Sequence, residues 1–113
     1  MESSAARIVA TVVAGSRTPE DVLREHVERY HETASINALV QPRHEAAAVE
    51  ARAVAGVLEQ EGRAAAARLP LAGVPVSVKE CFPVAGLVTS LGIPSRCGVH
   101  DESDADIVTR LKS

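Results

Sequence analysis

A chain of 113 residues, 46% hydrophobic and 24% charged, has the make-up of a small globular domain rather than a disordered segment. Its net charge of −3 and the lack of any block of Lys and Arg argue against a nucleic-acid binder. Nineteen residues are Ala and the only Phe, Tyr or Trp rings are Tyr30 and Phe82, so the apolar content predicts a thin core that something else completes.

The first expected element is a short helix in which Ile8, Val9, Val12 and Val13 recur at one-turn spacing and Gly15 ends it in a left-handed conformation. A second helix starts at Thr18-Pro19, with Asp21 completing a capping box. Val22, Leu23, Val27 and Tyr30 form its apolar stripe, and Glu25, Glu28, Arg29 and Glu32 its wet side. The apolar run Ile36–Val40, closed by Pro42, reads as a strand. A long Ala-rich helix follows over about 43–60, with Val54, Val57 and Leu58 as its heavier contacts and Gly62 as its stop. Residues 63–69 read as an Ala-rich linker that frays or extends this helix.

The pattern then changes. Gly73-Val74-Pro75-Val76-Ser77-Val78-Lys79 alternates strictly, which predicts a strand with Val74, Val76 and Val78 on one face. Residues 80–102 are loop punctuated by Gly and Pro, with a strand pair near Val88 as one arrangement. The final helix is expected from Ser103, with Asp106 as capping-box acid and Ile107, Val108 and Leu111 on its apolar face. Lys112-Ser113 carries no C-capping Gly, so that end reads as a cut rather than a designed boundary. Helices first, then a strand, then a helix without a following strand predict the opening of a larger α/β sandwich.

Pro70-Leu71-Ala72-Gly73-Val74-Pro75-Val76-Ser77-Val78-Lys79 closely resembles the motif around the catalytic lysine of amidase-signature enzymes. The order of elements agrees, and Ala85–Ser90 and Asp104–Lys112 resemble the segments that follow it in that family. The resemblance covers nearly the whole chain. It implies that residues 1–113 are the N-terminal part of a single amidase domain, an α/β/α sandwich with a mixed sheet, incomplete here. Within it, 1–62 are helical, 70–100 hold the first core strand and the lysine loop, and 103–113 form a helix. The resemblance also implies a serine, cis-serine and lysine triad with Lys79 as the catalytic lysine. Both serines belong to a Gly- and Ser-rich segment past residue 113, and none of Ser77, Ser90, Ser95, Ser103 or Ser113 sits in such a motif.

The chemistry accounts for a lysine in that role. An amide is a poor electrophile, so an attacking serine must lose its proton, and a neutral amine can take it. A free lysine titrates near 10.4 and must be desolvated, or set beside another cation, to be neutral at working pH. The valines of the expected strand and Phe82 are suited to supply such surroundings. Read from spacing alone, Lys79 is an ordinary solvated lysine at a strand end, and the family motif is what assigns it a role.

Other residues make weaker cases. Cys81 lies two residues past Lys79, but no His is visibly paired with it, and a buried, inert thiol is expected. The spacing of Cys81 and Cys97 fits neither a zinc site nor a redox pair. His26, His31, His44 and His100 show no metal-ligand spacing and are expected on solvated helix faces and in a loop, so no metal and no cofactor is expected. Asp101, Glu102, Asp104 and Asp106 read as complementing the last helix's dipole. The N-terminus, acidic at Glu2 and interrupted by Arg7, lacks a secretory pattern, and no apolar run approaches bilayer length. A cytoplasmic protein is expected.

The expected function is hydrolysis of a small-molecule carboxylic amide, with the 113-residue chain alone inactive. Glu80-Cys81-Phe82 and Ser90-Leu91-Gly92 look most like the fatty-acid-amide-hydrolase-like branch, which tilts the substrate toward a lipid-like acyl group. Two alternatives stand beside it: a glutamyl-tRNA amidotransferase A-type subunit, and a non-catalytic truncated fragment. A homodimer of the full-length protein is left open.

Overall fold

The computed structural model describes residues 4–113, which form two compact units, one ending at Pro75 and one spanning Val76–Ser113.

In the first unit, α1 (Ala5–Val13) is capped by Ser4, whose hydroxyl accepts the Arg7 N–H at 3.3 Å. The helix ends as the sequence predicts. Gly15 takes φ 73°, its N–H donates to Val12 C=O and the Ser16 N–H donates to Thr11 C=O, a Schellman pair that satisfies the last carbonyls. α2 (Pro19–Glu32) begins with the expected capping box: Thr18 Oγ1 accepts the Asp21 N–H at 3.0 Å and the Asp21 carboxylate accepts the Thr18 N–H at 3.3 Å. Its stripe of Val22, Leu23, Val27 and Tyr30 is buried or half-buried, while Glu25, Glu28, Arg29 and Glu32 are exposed. Ile8, Val12 and Val22 form the core, with Leu58 and Val74 packed against them. Val22 is the only large side chain wholly shut off from solvent among the described residues.

α3 (His44–Glu61) packs along α2, and Arg43 holds Glu50 through two bonds of 2.8 and 2.9 Å. It buries no residue completely, because its inward face is mostly Ala; Val54, Val57 and Leu58 are half-buried. Gly62 stops it at φ 59°, a 3₁₀ turn Gly62–Ala64 follows, and α4 (Ala65–Arg68) resumes the helix with Ala65 fully buried. The Ala-rich stretch therefore extends the helical run.

The strands expected in this half do not form. Ile36–Val40 gives a 3₁₀ turn, Ala34–Ile36, then Asn37 at φ 51° and irregular chain, with Ile36 69% exposed. The run carries apolar side chains but finds no neighbouring backbone, and Asn tolerates the left-handed region that breaks an extended course. Gly73–Lys79 likewise forms no strand, since the described residues offer its peptide groups no ladder partner. The chain is helical and no strand is present among the described residues, so the mixed sheet of an α/β sandwich is not formed here.

The second unit is mainly loop. Val88 and His100 form a single antiparallel bridge, flanked by Gly86 N–H to Asp101 C=O and Asp101 N–H to Leu87 C=O, both 2.8 Å. This is the reduced form of the strand pair expected near Val88. α5 (Asp106–Lys112) starts three residues later than the sequence suggested, with Ala105 at its N-cap and no side-chain cap. The Asp104 carboxylate instead accepts the Ala85 N–H at 2.8 Å and the Lys112 ammonium at 2.7 Å, tying α5 to the loop. Val84 and Val108 are the buried apolar residues of this unit.

Candidate active site

Lys79 lies in the second unit, at the end of the irregular segment that follows Gly73, and its side chain is exposed. Its carbonyl accepts the Phe82 N–H at 3.0 Å, so the chain turns back immediately after it. The apolar shell expected around it is open: Val76 is 51% exposed and Phe82 47%. Those side chains have no facing layer to pack against within the unit, and the desolvation that a lysine base needs is not supplied by them.

The residue after Lys79 is the most heavily bonded in the region. The Glu80 carboxylate accepts the Ser90 N–H at 2.6 Å, the Ser90 hydroxyl at 2.9 Å, and the Leu91 N–H at 3.1 and 3.3 Å. Ser90 Oγ in turn accepts the Gly92 N–H at 3.3 Å. The Ser90 and Leu91 N–H groups and the Ser90 hydroxyl thus form a small anion cradle, and the turn that follows it, with Leu91 and Gly92 at φ 51° and 72°, is closed by the Ile93 N–H donating to the Ser90 C=O at 2.9 Å. The donors hold the Glu80 carboxyl below its usual range, the Ser90 hydroxyl contributing most, then the Leu91 and Ser90 amides, with burial opposing. Next door, the Thr89 hydroxyl donates to Asp101 at 2.6 Å. Two carboxylates thus pin consecutive residues of one loop.

Several sequence expectations change here. Cys81 is exposed rather than buried, and it and Cys97 are free thiols. Ser90 is committed to Glu80. Asp101 and Asp104 bond to Thr89, Ala85 and Lys112, and of the acidic cluster Asp106 lies in the first turn of α5. His31 and His100 are exposed as expected, but His26 and His44 are half-buried: the His26 Nδ1–H donates to Val22 C=O at 2.8 Å, and His44 stacks edge-on against Tyr30, centroids 4.9 Å apart. Among the described residues, no three His, Cys, Asp or Glu side chains gather as a metal site would need. An open recess of about 300 Å³ is lined by Pro83, Thr89, Arg96, Val99 and Asp101, and Lys79 is not among its walls. The Glu80 cradle is the feature that sequence reading missed. Its signal was the small polar Ser90 followed by Leu91-Gly92, ten residues after an acid.

Comparison with known proteins decides the family. The amidase family model matches residues 21–113, which include Lys79 and the whole Glu80 cradle. The chain belongs to the amidase family. It is 36% identical over 99 residues to fatty-acid amide hydrolase 2-A of Danio rerio, covering 84% of this chain and 19% of the relative. Human fatty-acid amide hydrolase 2 is 35% identical over 96 residues, 81% of this chain and 18% of the relative. The A subunit of the glutamyl-tRNA(Gln) amidotransferase of Streptomyces coelicolor is 32% identical over 112 residues, 97% of this chain and 22% of the relative. The chain spans about a fifth of the length of these curated relatives. No helix among the described residues is long and apolar enough to cross a membrane.

Proposed function

We propose that this chain supplies the lysine of an amidase that cleaves a carboxylic amide through a serine, cis-serine and Lys79 triad. The observation that carries the reading is the family match over residues 21–113, which contain the motif ending in Lys79. In the proposed reaction the nucleophilic serine oxygen attacks the amide carbon as its proton passes through the bridging serine to the Lys79 amine. The same proton returns to the departing nitrogen, the C–N bond breaks and an acyl-serine remains. Water then attacks the acyl carbon and gives its proton to the same relay, the bond from the acyl carbon to the serine oxygen breaks, and the relay returns the proton to that oxygen as the acid leaves. Both serines, and the layer that would strip water from Lys79, come from parts of the protein beyond this chain. There the domain would also complete the mixed sheet of an α/β/α sandwich. The 113 residues alone are then inactive.

A small-molecule amide in the cytoplasm is the expected substrate. The similarity to fatty-acid amide hydrolases supports an apolar acyl group, and Glu80-Cys81-Phe82 agrees with it. A second reading, an amidotransferase A-type subunit, is favoured by the relatives of that name that align over 97% of the chain. The experiment is hydrolysis of fatty and short-chain primary amides by the protein carrying this chain together with its serine segment, without partner subunits. Turnover of the fatty amide supports the first reading, and activity only with partner subunits the second. Lys79→Ala should lower kcat by about 10²–10⁴. Turnover within twofold of the parent would remove Lys79 from the mechanism.

A further inference from the structure

Glu80 sits beside Lys79 yet makes no ion pair with it; its oxygens are spent on Ser90 and Leu91, ten and eleven residues on. One residue before the acid, the Lys79 carbonyl is held by the Phe82 N–H. The peptide between Lys79 and Glu80 is therefore fixed from both sides, by the turn and by the cradle. The turn that leaves the cradle puts Leu91, a residue with a Cβ, in the left-handed region, where an L side chain is strained by about 1–2 kcal/mol. A carboxylate accepting several N–H and O–H bonds can hold such a conformation in place. On the other flank, Asp101 fastens Thr89, so the loop that receives Glu80 is itself anchored.

We propose that Glu80 is a positioning residue for Lys79: seated in the Ser90–Leu91 cradle, its carboxylate fixes the direction in which the backbone presents the lysine. The proposal rests on the reading of Lys79 as the proton acceptor. It assigns Glu80 no contact with substrate.

The test uses the protein carrying this chain together with its serine segment, isotope-labelled for NMR, as parent and as Glu80→Gln. The variant is expected to speed hydrogen exchange at the Ser90 and Leu91 amides about tenfold or more, through loss of bonds to an ionised acceptor. The φ and χ1 scalar couplings of Lys79 are expected to move toward rotationally averaged values. Freed Ser90 and Leu91 amides with unchanged Lys79 couplings would reduce Glu80 to a loop fastener and overturn the proposal, as would unchanged exchange. Should Glu80→Gln fail to fold, acid titration of the unmodified protein serves instead. The Ser90 and Leu91 amide signals and the Lys79 couplings are then expected to shift with one midpoint, below the ordinary glutamate range. Separate midpoints overturn the proposal. The neighbouring carboxylates are told apart by their own reporters, the Thr89 hydroxyl for Asp101 and the Ala85 amide for Asp104. None of these readouts needs hydrolysis, so an inactive parent enzyme would sink the amidase reading while leaving the positioning result intact.

Discussion

Replacing Gly73 by Ala tests how the first unit hands the chain on toward Lys79. Gly73 has φ 72°, and a Cβ built there would lie 3.3 and 3.4 Å from the two γ-carbons of Val12 and 3.5 Å from Pro19 Cβ. Gly15 has nearly the same φ, 73°, in the same unit, with nothing within 4 Å of its Cβ position. The pair therefore separates backbone strain from packing. Strain in the left-handed region costs an alanine about 1–2 kcal/mol, partly offset by the lower entropy of the unfolded chain, so Gly15→Ala should lose about 1 kcal/mol. Gly73→Ala adds an overpacking cost of about 1–3 kcal/mol, because Val12 is buried and has little room to retreat. Its expected loss is about 2–4 kcal/mol. Urea denaturation followed by circular dichroism reads both, provided the slope of each curve stays that of the parent. In a Val12→Ala background both offending γ-carbons are gone, and Gly73→Ala should fall back to about 1 kcal/mol. Equal losses for Gly15→Ala and Gly73→Ala, within about 0.5 kcal/mol, would refute the assignment of Gly73 to close approach.

Val22→Ala removes two methyl groups from a side chain that is 0% exposed, and the lost transfer energy plus the cavity amount to about 2–3 kcal/mol in the same denaturation assay. The capping box gives a pH signature. Asp21 is held below its ordinary value of 3.8 by the Thr18 hydroxyl first, then by Arg24 and the Thr18 amide. Because the folded value is the lower one, its contribution to stability is complete above pH 3.8 and fades as pH falls through the folded value. Thermal melts of the parent across pH 2 to about 6 should show this fall, and Asp21→Asn should remove Asp21's share of it.

The helical half was legible because its signals are local. Thr18, Pro19 and Asp21 lie within one turn of each other, and Gly15 and Gly62 mark ends that need only their own helix. Each such feature closes its hydrogen bonds within a few residues, so the sequence window contains the whole cause. The last helix shows the limit of the same logic. Ser103 and Asp106 have the spacing of a capping box, but Asp104 is drawn away by the Ala85 amide and by Lys112, and α5 begins later without a cap. A contact nineteen residues distant, 85 to 104, accompanies the loss of a motif four residues long.

Lys79 and its surroundings lie beyond that limit for the same reason. Alternation in 74–79 states which side chains could share a face, but a strand exists only when another backbone lies alongside it. The single bridge between Val88 and His100 shows how much pairing the described residues supply. Motif matching could name Lys79 because a motif records the outcome of contacts that the local pattern does not contain. It could not show what holds the lysine in place, since Glu80 reaches ten residues ahead to a loop whose shape depends on Leu91 and Gly92 taking positive φ. Stiffness at this site comes from carboxylates spent on backbone N–H groups, a device that works in the absence of a sheet. The exposed Val76 and Phe82 mark the contribution that hydrogen bonds cannot make: removing water from the amine requires a second apolar surface. On the roles proposed for Glu80 and Lys79, orientation and desolvation of the amine are therefore separable, and the hydrogen bonds of this loop bear on the first alone.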